Sequence, residues 1–154
     1  MATLDSYIAE LTNFQNNLEK IINVIVLNKQ NEVVDIVKAR LIGSGKDAKL
    51  KLIGGGIYKP FTISDKKASG SGTGKITSHF TLFHDGGFHR GMFVQESGDF
   101  LFISSTDAKT NLLIGEYGED ILGLTEPETK FVTDQIIDPE LQKIINKLPQ
   151  TIDI

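Results

Sequence analysis

The sequence predicts an α+β fold with a long N-terminal helix, a glycine-rich arm, a small antiparallel sheet and one or two C-terminal helices. Three patterns support this class: a helical apolar stripe at the start, two short apolar runs joined by a Ser-Gly-Asp turn, and a helix-start signal at Thr125. With 154 residues, of which 40% are hydrophobic and 23% charged, the chain has the composition of one globular domain. We therefore expect a single structural domain over residues 1–154.

The first segment, residues 1–42, predicts the long helix because it contains neither glycine nor proline and its apolar residues recur every three or four positions. Asp5 or Ser6 is suited to cap the start, and Gly43 to end it. A run of β-branched residues leaves a hairpin between residues 21 and 37 as an alternative, and a helix there is expected to kink near Asn28. The stripe consists of Leu4, Tyr7, Ile8, Leu11, Phe14, Leu18, Ile21, Ile22 and Ile25.

Residues 43–78 form the glycine-rich arm, which is predicted to be irregular and flexible because it carries much of the glycine and few apolar residues. Within the arm, A-S-G-S-G-T-G-K-I at 68–76 resembles a phosphate-binding P-loop. Ser69 stands where that motif has its first glycine, and Ile76 replaces the hydroxyl residue that holds Mg²⁺. A strand-like run, 75–82, follows in place of a helix, so neither a nucleotide nor another cofactor is predicted.

Residues 79–124 are predicted to form a β-rich core around a hairpin. Apolar runs from Phe88 to Val94 and from Phe100 to Ser104 flank a turn that contains Ser-Gly-Asp. A helical turn over 86–92 is the alternative for the start of the first run.

Residues 125–148 predict the C-terminal helices. Thr125-Glu126-Pro127-Glu128 is a capping box with proline in the first turn, and apolar residues follow on one face. Asp138-Pro139-Glu140 repeats the start signal, so the proline either kinks one helix or begins a second.

The polar residues do not predict a catalytic, cofactor-binding or metal site. His79, His84 and His89 follow one another at five-residue steps, which place successive side chains on opposite faces of a strand and about 140° apart on a helix. Acid pairs such as Glu119-Asp120, and the hydroxyls at 104–106, have no identifiable base or nucleophile beside them. We therefore expect that the chain is not an enzyme.

Charge and hydropathy restrict the partners. The net charge of −4 disfavours a specific nucleic-acid partner, and the chain has no cysteine for disulfides or a thiolate zinc site. No run of about 18 apolar residues and no secretion signal is present, so we expect no membrane association.

Four segments, in this order, resemble a known family. They are L-F-H-D-G-G-F-H-R-G-M at 82–92, F-L-F-I-S-S at 100–105, L-I-G-E-Y-G at 113–118 and I-L-G-L-T-E at 121–126. Together they are similar to the virion-morphogenesis, or tail-completion, proteins of tailed bacteriophages and to related neck and head–tail joining proteins.

This resemblance implies a non-enzymatic structural subunit, located in the virion and assembled in the host cytoplasm. Its implied partners are copies of itself in a ring and other phage neck, connector or tail proteins. Gly86 stands where the family has threonine, and Glu119-Asp120 replaces a Pro-Arg pair, so the exact position in the neck or tail stays open. A cytoplasmic adaptor that binds a protein through the N-terminal helix, and a small hydrolase that uses the histidine-rich hairpin, are the alternatives.

Overall fold

The structure is a computed structural model that describes residues 3–70 and 72–148. It combines helices with a two-stranded antiparallel sheet, which confirms the α+β class. The chain divides into two compact units: the second unit is Gln30–Thr129, and the first unit contains the residues on either side of it. That all 154 residues act as a single domain stays a prediction.

The N-terminal segment is helical, as predicted, but it is divided into three helices. These are α1 (Leu4–Asn16), α2 (Leu18–Asn28) and α3 (Gln30–Ser44). The kink expected near Asn28 is a break at Lys29, whose φ of −105° and ψ of 16° are not helical. The alternative hairpin over 21–37 does not form.

Local hydrogen bonds account for the first break and for the start of the segment. The side-chain amide of Asn17 donates to the Asn13 carbonyl at 2.8 Å, and such a bond competes with continuation of the helix. Thr3, rather than Asp5 or Ser6, caps α1, because its hydroxyl accepts the Ser6 N–H at 3.2 Å.

The helical segment ends later than predicted, because α3 continues through Gly43 to Ser44. Gly45 follows with φ 62°, and a Cβ at this position would lie 2.6 Å from the Phe80 carbonyl oxygen. Gly45 therefore ends the helix, since its left-handed backbone and the close contact both require glycine.

In the first unit, α2 packs against a π-helical segment, Thr133–Ile137. Ile25 and Val26 of α2 are buried, as are Val132 and Ile136 near the partner segment. No helix in the described ranges is both long and apolar enough to cross a membrane.

In the second unit, the predicted hairpin is confirmed. Strand β1 (Met92–Ser97) pairs antiparallel with β2 (Phe100–Ser105) through a two-residue turn in which Gly98 has φ 60°. The sheet packs against α3, whose buried side chains supply much of the core of this unit. These side chains are Val33, Val34, Val37 and Leu41.

The chain before the hairpin differs from the prediction. Gly87–Arg90 is a helical turn, α5, so the helical alternative is confirmed and the strand predicted from Phe88 begins only at Met92. The strand-like run 75–82 pairs with no strand, because the Thr81 N–H donates to the Tyr58 hydroxyl at 3.0 Å and Leu82 has φ 52°.

The glycine-rich arm contains a helix, α4 (Pro60–Ser69), where the sequence predicts irregular chain. Tyr58 is buried and stacks on Phe80, with ring centroids 4.1 Å apart. Because Phe80 lies outside the arm, the arm gains the apolar partner that its own composition lacks. Ser71 lies outside the described residues.

The C-terminal start signals are confirmed. The Thr125 hydroxyl accepts the Glu128 N–H at 3.2 Å, and the Glu128 carboxylate accepts the Thr125 N–H at 2.8 Å, which is the reciprocal capping box at the start of α7 (Glu126–Val132). The π-helical segment follows and leads into α8 (Asp138–Ile145), with Pro139 in its first turn. The π-helical turn accommodates Pro139, which has no backbone N–H to donate to the preceding turn.

Arg40 joins several parts of the second unit. Its side chain is only 6% exposed, and it forms an ion pair with Glu128, the same carboxylate that caps α7. Its other nitrogens donate to the carbonyls of Lys46 at 3.1 Å and Gly123 at 2.7 Å. The guanidinium thus connects α3, the loop after it and the start of α7.

Replacing Thr125 by alanine should lower the free energy of unfolding by about 1 kcal/mol, because it removes the acceptor of the Glu128 N–H. Urea denaturation measures the difference. Thr125→Ser keeps the hydroxyl and should retain most of the stability. An alanine variant as stable as the wild type would show that the cap contributes nothing.

Arg40→Met should lower the free energy of unfolding by about 3 kcal/mol, since it leaves a half-buried carboxylate and two carbonyls without their donor. The matched control is Lys38→Met on the same helix, which removes the more exposed pair with Asp35 at 2.9 Å and should cost under about 1 kcal/mol. Equal losses in urea denaturation would contradict the special role of Arg40.

Candidate functional site

The three histidines lie in three different environments. His79 contacts the Ile42 carbonyl through Nε2 at 2.6 Å, His84 lies beside α4, and His89 is buried in the core. Within residues 3–70 and 72–148, no group of three or more His, Cys, Asp or Glu is arranged to hold a metal ion. The structure therefore does not bring the three together as a ligand set.

His84, Ser69 and Asp65 form a cluster with the residue types of a hydrolase triad. The Ser69 hydroxyl and the Asp65 carboxylate both lie 3.0 Å from the same ring nitrogen, Nε2 of His84. A catalytic relay needs the acid on one ring nitrogen and the nucleophile on the other, so that the histidine takes the serine proton while the acid orients the ring. This cluster lacks that arrangement, and its hydrogen bonds instead connect α4 to the chain at His84.

The P-loop-like segment has no phosphate-binding geometry in its described part. Helix α4 precedes it where a P-loop has a strand, and Gly72–Lys75 is a short 3₁₀ turn. Gly74 is buried against the backbone, since a Cβ there would lie 2.1 Å from the His84 carbonyl oxygen. Gly74 therefore serves close packing of the backbone.

Asp120, from the acid pair named in the sequence, has an ordinary ion-pair partner, and Asp99 and Asp85 are two further exposed acids. Asp120 pairs with Lys49 at 2.6 Å on the surface, and Asp99 lies exposed in the hairpin turn. The hydrogen bond from the Gly87 N–H lowers the pKa of Asp85, which keeps this carboxylate ionised.

His89 is a buried histidine with one unpartnered nitrogen. Its Nε2 donates to the Thr81 carbonyl at 2.8 Å, which leaves Nδ1 of the neutral ring without a hydrogen, and no described residue is a hydrogen-bond partner of Nδ1. Burial lowers the pKa of His89 below its ordinary value of 6.5, and the charges of Lys38 and Lys66 act in the same direction. The neutral ring is therefore a core residue that contacts Phe83 and Phe88.

A cavity of about 170 Å³ lies in the second unit. Burial, together with a hydrogen bond to Glu116, raises the pKa of Tyr117 in its wall to about 12, so this phenol stays neutral. The lining also has polar residues that carry a charge or an imidazole ring, namely Lys66, Lys109, His84, Asp85 and Asp107. The apolar part of the wall includes Tyr58, Phe80, Leu82, Phe83, Phe88 and Leu113.

Lys66 is the residue of this cavity that no sequence pattern distinguishes. It is 3% exposed, although the neighbouring Lys67 on the same helix is exposed. Its ammonium donates to the Phe83 carbonyl at 2.5 Å and lies 4.9 Å from the centre of the Tyr58 ring. Only the fold distinguishes the two lysines.

Each unit also exposes apolar side chains. In the first unit, Leu4, Ile8 and Leu11 lie on one face of α1, and these side chains are 55%, 51% and 39% exposed. In the second unit, the most exposed large apolar side chains are Phe61 at 84% and Phe100 at 78%. Exposed apolar side chains that lie together, as on this face of α1, are typical of surfaces that contact another protein.

The stability of the second unit should fall as the pH is lowered below 6.5, because the unfolded chain then takes up a proton that folded His89 resists. The loss should continue down to the lowered pKa, with a slope of at most about 1.4 kcal/mol per pH unit. His89→Gln, which can still donate to Thr81, should flatten this slope in urea denaturation at a series of pH values. Equal slopes in wild type and His89→Gln would contradict the assignment.

Comparison of the chain with protein-family models, with curated proteins and with solved structures finds no match. The comparisons therefore assign no family to this chain. Its function has to be argued from its own residues, from the resemblance of the segments between 82 and 126, and from its exposed surfaces.

Proposed function

We propose that this chain is a structural subunit of a tailed-bacteriophage virion, which joins a ring at the neck or tail end. The resemblance to tail-completion proteins motivates the proposal. Its structural support is that both units expose large apolar side chains, on α1 in the first and at Phe61 and Phe100 in the second.

A ring requires such a distribution of surfaces. Neighbours in a closed ring meet through heterologous contacts, so each copy needs two different adhesive surfaces. An adaptor that binds one partner through its N-terminal helix needs only the stripe on α1. The exposed aromatic side chains of the second unit therefore favour the ring subunit over the adaptor.

The chemistry of the described residues is consistent with a non-enzymatic role. In the cluster of triad residue types at His84, Ser69 and Asp65 both contact the same ring nitrogen. The buried His89 donates to the Thr81 carbonyl. Under this proposal the partners are copies of the same chain and other neck, connector or tail proteins, and the protein is located in the virion.

The glycine-rich arm is the part of the second unit that we expect to respond to assembly. Gly55 and Gly72 have positive φ, and no other group lies near enough to touch a side chain placed there. Helix α4 is already folded in this arm, so the entropic cost of about 1–2 kcal/mol per residue falls on the turns around Gly55 and Gly72, and contacts with a neighbouring subunit would offset it. We therefore expect the isolated protein to be monomeric or weakly associated and to join a ring on a preformed virion surface.

Limited trypsin digestion of the free protein should cut first between Gly54 and Lys75, where Lys59, Lys67 and Lys75 are exposed. In virions the same segment should resist the protease and exchange its amide hydrogens more slowly. The core of α3 serves as the internal control, since it should be protected in both states. Equal exposure of the arm would remove it from the interface, and absence of the protein from purified virions would defeat the structural role.

A further inference from the structure

Lys66 carries a buried positive charge that no carboxylate neutralises. Lys66 is 3% exposed. In the part of the chain that the structure describes, it belongs to none of the ion pairs. An isolated buried charge is costly, so buried ammonium groups are normally paired. The available compensation is one carbonyl and the face of one aromatic ring, Tyr58.

The ammonium group also retains hydrogen-bonding capacity. It has three N–H donors, and its hydrogen bond goes to the Phe83 carbonyl. A ligand carboxylate can therefore approach Lys66 without displacing that contact. Pairing with an anion would supply the negative charge and the hydrogen-bond acceptors that the Lys66 ammonium does not find in the fold.

The cavity that Lys66 lines determines the size and the apolar character of the rest of the ligand. Its volume of about 170 Å³ is close to that of the apolar cavities that take up one benzene ring, about 150 Å³. Its wall is mainly aromatic and aliphatic, with Phe80, Phe83 and Leu113 among the lining residues. We propose that this cavity binds a small monocarboxylate with an aromatic or branched apolar body, whose carboxylate pairs with Lys66.

Among the described residues, neither acid of the wall forms an ion pair with Lys66, and each accepts a backbone N–H. Asp85 accepts the Gly87 N–H at 2.9 Å, and Asp107 accepts the Lys109 N–H at 2.8 Å. The two carboxylates also allow the opposite hypothesis, in which the cavity prefers a cationic ligand. The ligands tested therefore have to distinguish an anion from a cation.

Three ligands of one size test the proposal on the unmodified protein. Benzoate should bind at least about tenfold more tightly than benzamide, its neutral analogue, because the amide still accepts a hydrogen bond from Lys66 but cannot form the ion pair. Benzylamine should bind more weakly than benzoate. Titrations followed by ¹H–¹⁵N NMR should show the benzoate shifts at residues of the cavity wall. Absence of benzoate binding, equal affinity for benzamide, or stronger binding of benzylamine would each overturn the proposal.

Two lysine variants locate the charge. Lys66→Met replaces the ammonium by an apolar chain of similar length, and it should remove the preference for benzoate over benzamide. Lys67→Met, on the exposed side of the same helix, should retain that preference. If both variants bind benzoate like the wild type, Lys66 does not hold the carboxylate. The ligand panel remains decisive if Lys66→Met does not fold.

The carboxylate has two possible sources, a free acid or an acidic side chain of a second copy of this chain. Sedimentation velocity with and without benzoate separates them. Self-association that is weakened both by benzoate and by Lys66→Met assigns the carboxylate to a neighbouring copy, whereas association unaffected by either assigns it to a free acid. The carboxylate site itself does not depend on the proposed virion role.

Discussion

The buried guanidinium of Arg40 is the interaction on which much of the second unit depends. A charge with 6% exposure is tolerated only when its donors are used, and three of them reach acceptors on three different segments. Glu128 is shared between this pair and the cap of α7, so the electrostatics of the core and the start of a helix are set by one carboxylate. The positions of α3, the Gly123 turn and α7 within this unit are therefore linked.

A second set of contacts holds the glycine-rich arm in the same unit. Tyr58 stacks on Phe80, its hydroxyl accepts the Thr81 N–H, and the buried Lys66 lies over its ring. The Tyr58 hydroxyl accepts the Thr81 N–H, which would otherwise need an acceptor on a neighbouring strand. Tyr58, Lys66 and Phe80 also line the cavity, so the position of α4 and the environment of Lys66 have the same structural origin.

The chemistry of the surface and that of the interior suggest different roles. The proposed ring subunit rests on apolar side chains that the two units leave exposed, whereas the proposed carboxylate site rests on a charge that the second unit buries. A structural protein can have both, because a cavity that accepts a carboxylate is also suited to an acidic side chain of a neighbouring copy. Interfaces with such a buried pair gain specificity from the requirement that both charges meet.

The sequence by itself determined the elements whose contacts are local. The capping box joins residues three positions apart, the hairpin turn requires glycine at position 98, and the helix breaks at Lys29, next to the kink expected near Asn28. Only the tertiary structure decided the helix inside the arm, the loss of the strand at 75–82, and the different environments of Lys66 and Lys67. Arg40 and Glu128 are 88 positions apart, and Tyr58 meets Thr81 across 23. Periodicity and turn chemistry describe neighbours along the chain, whereas burial of a particular charge depends on which distant segments pack around it.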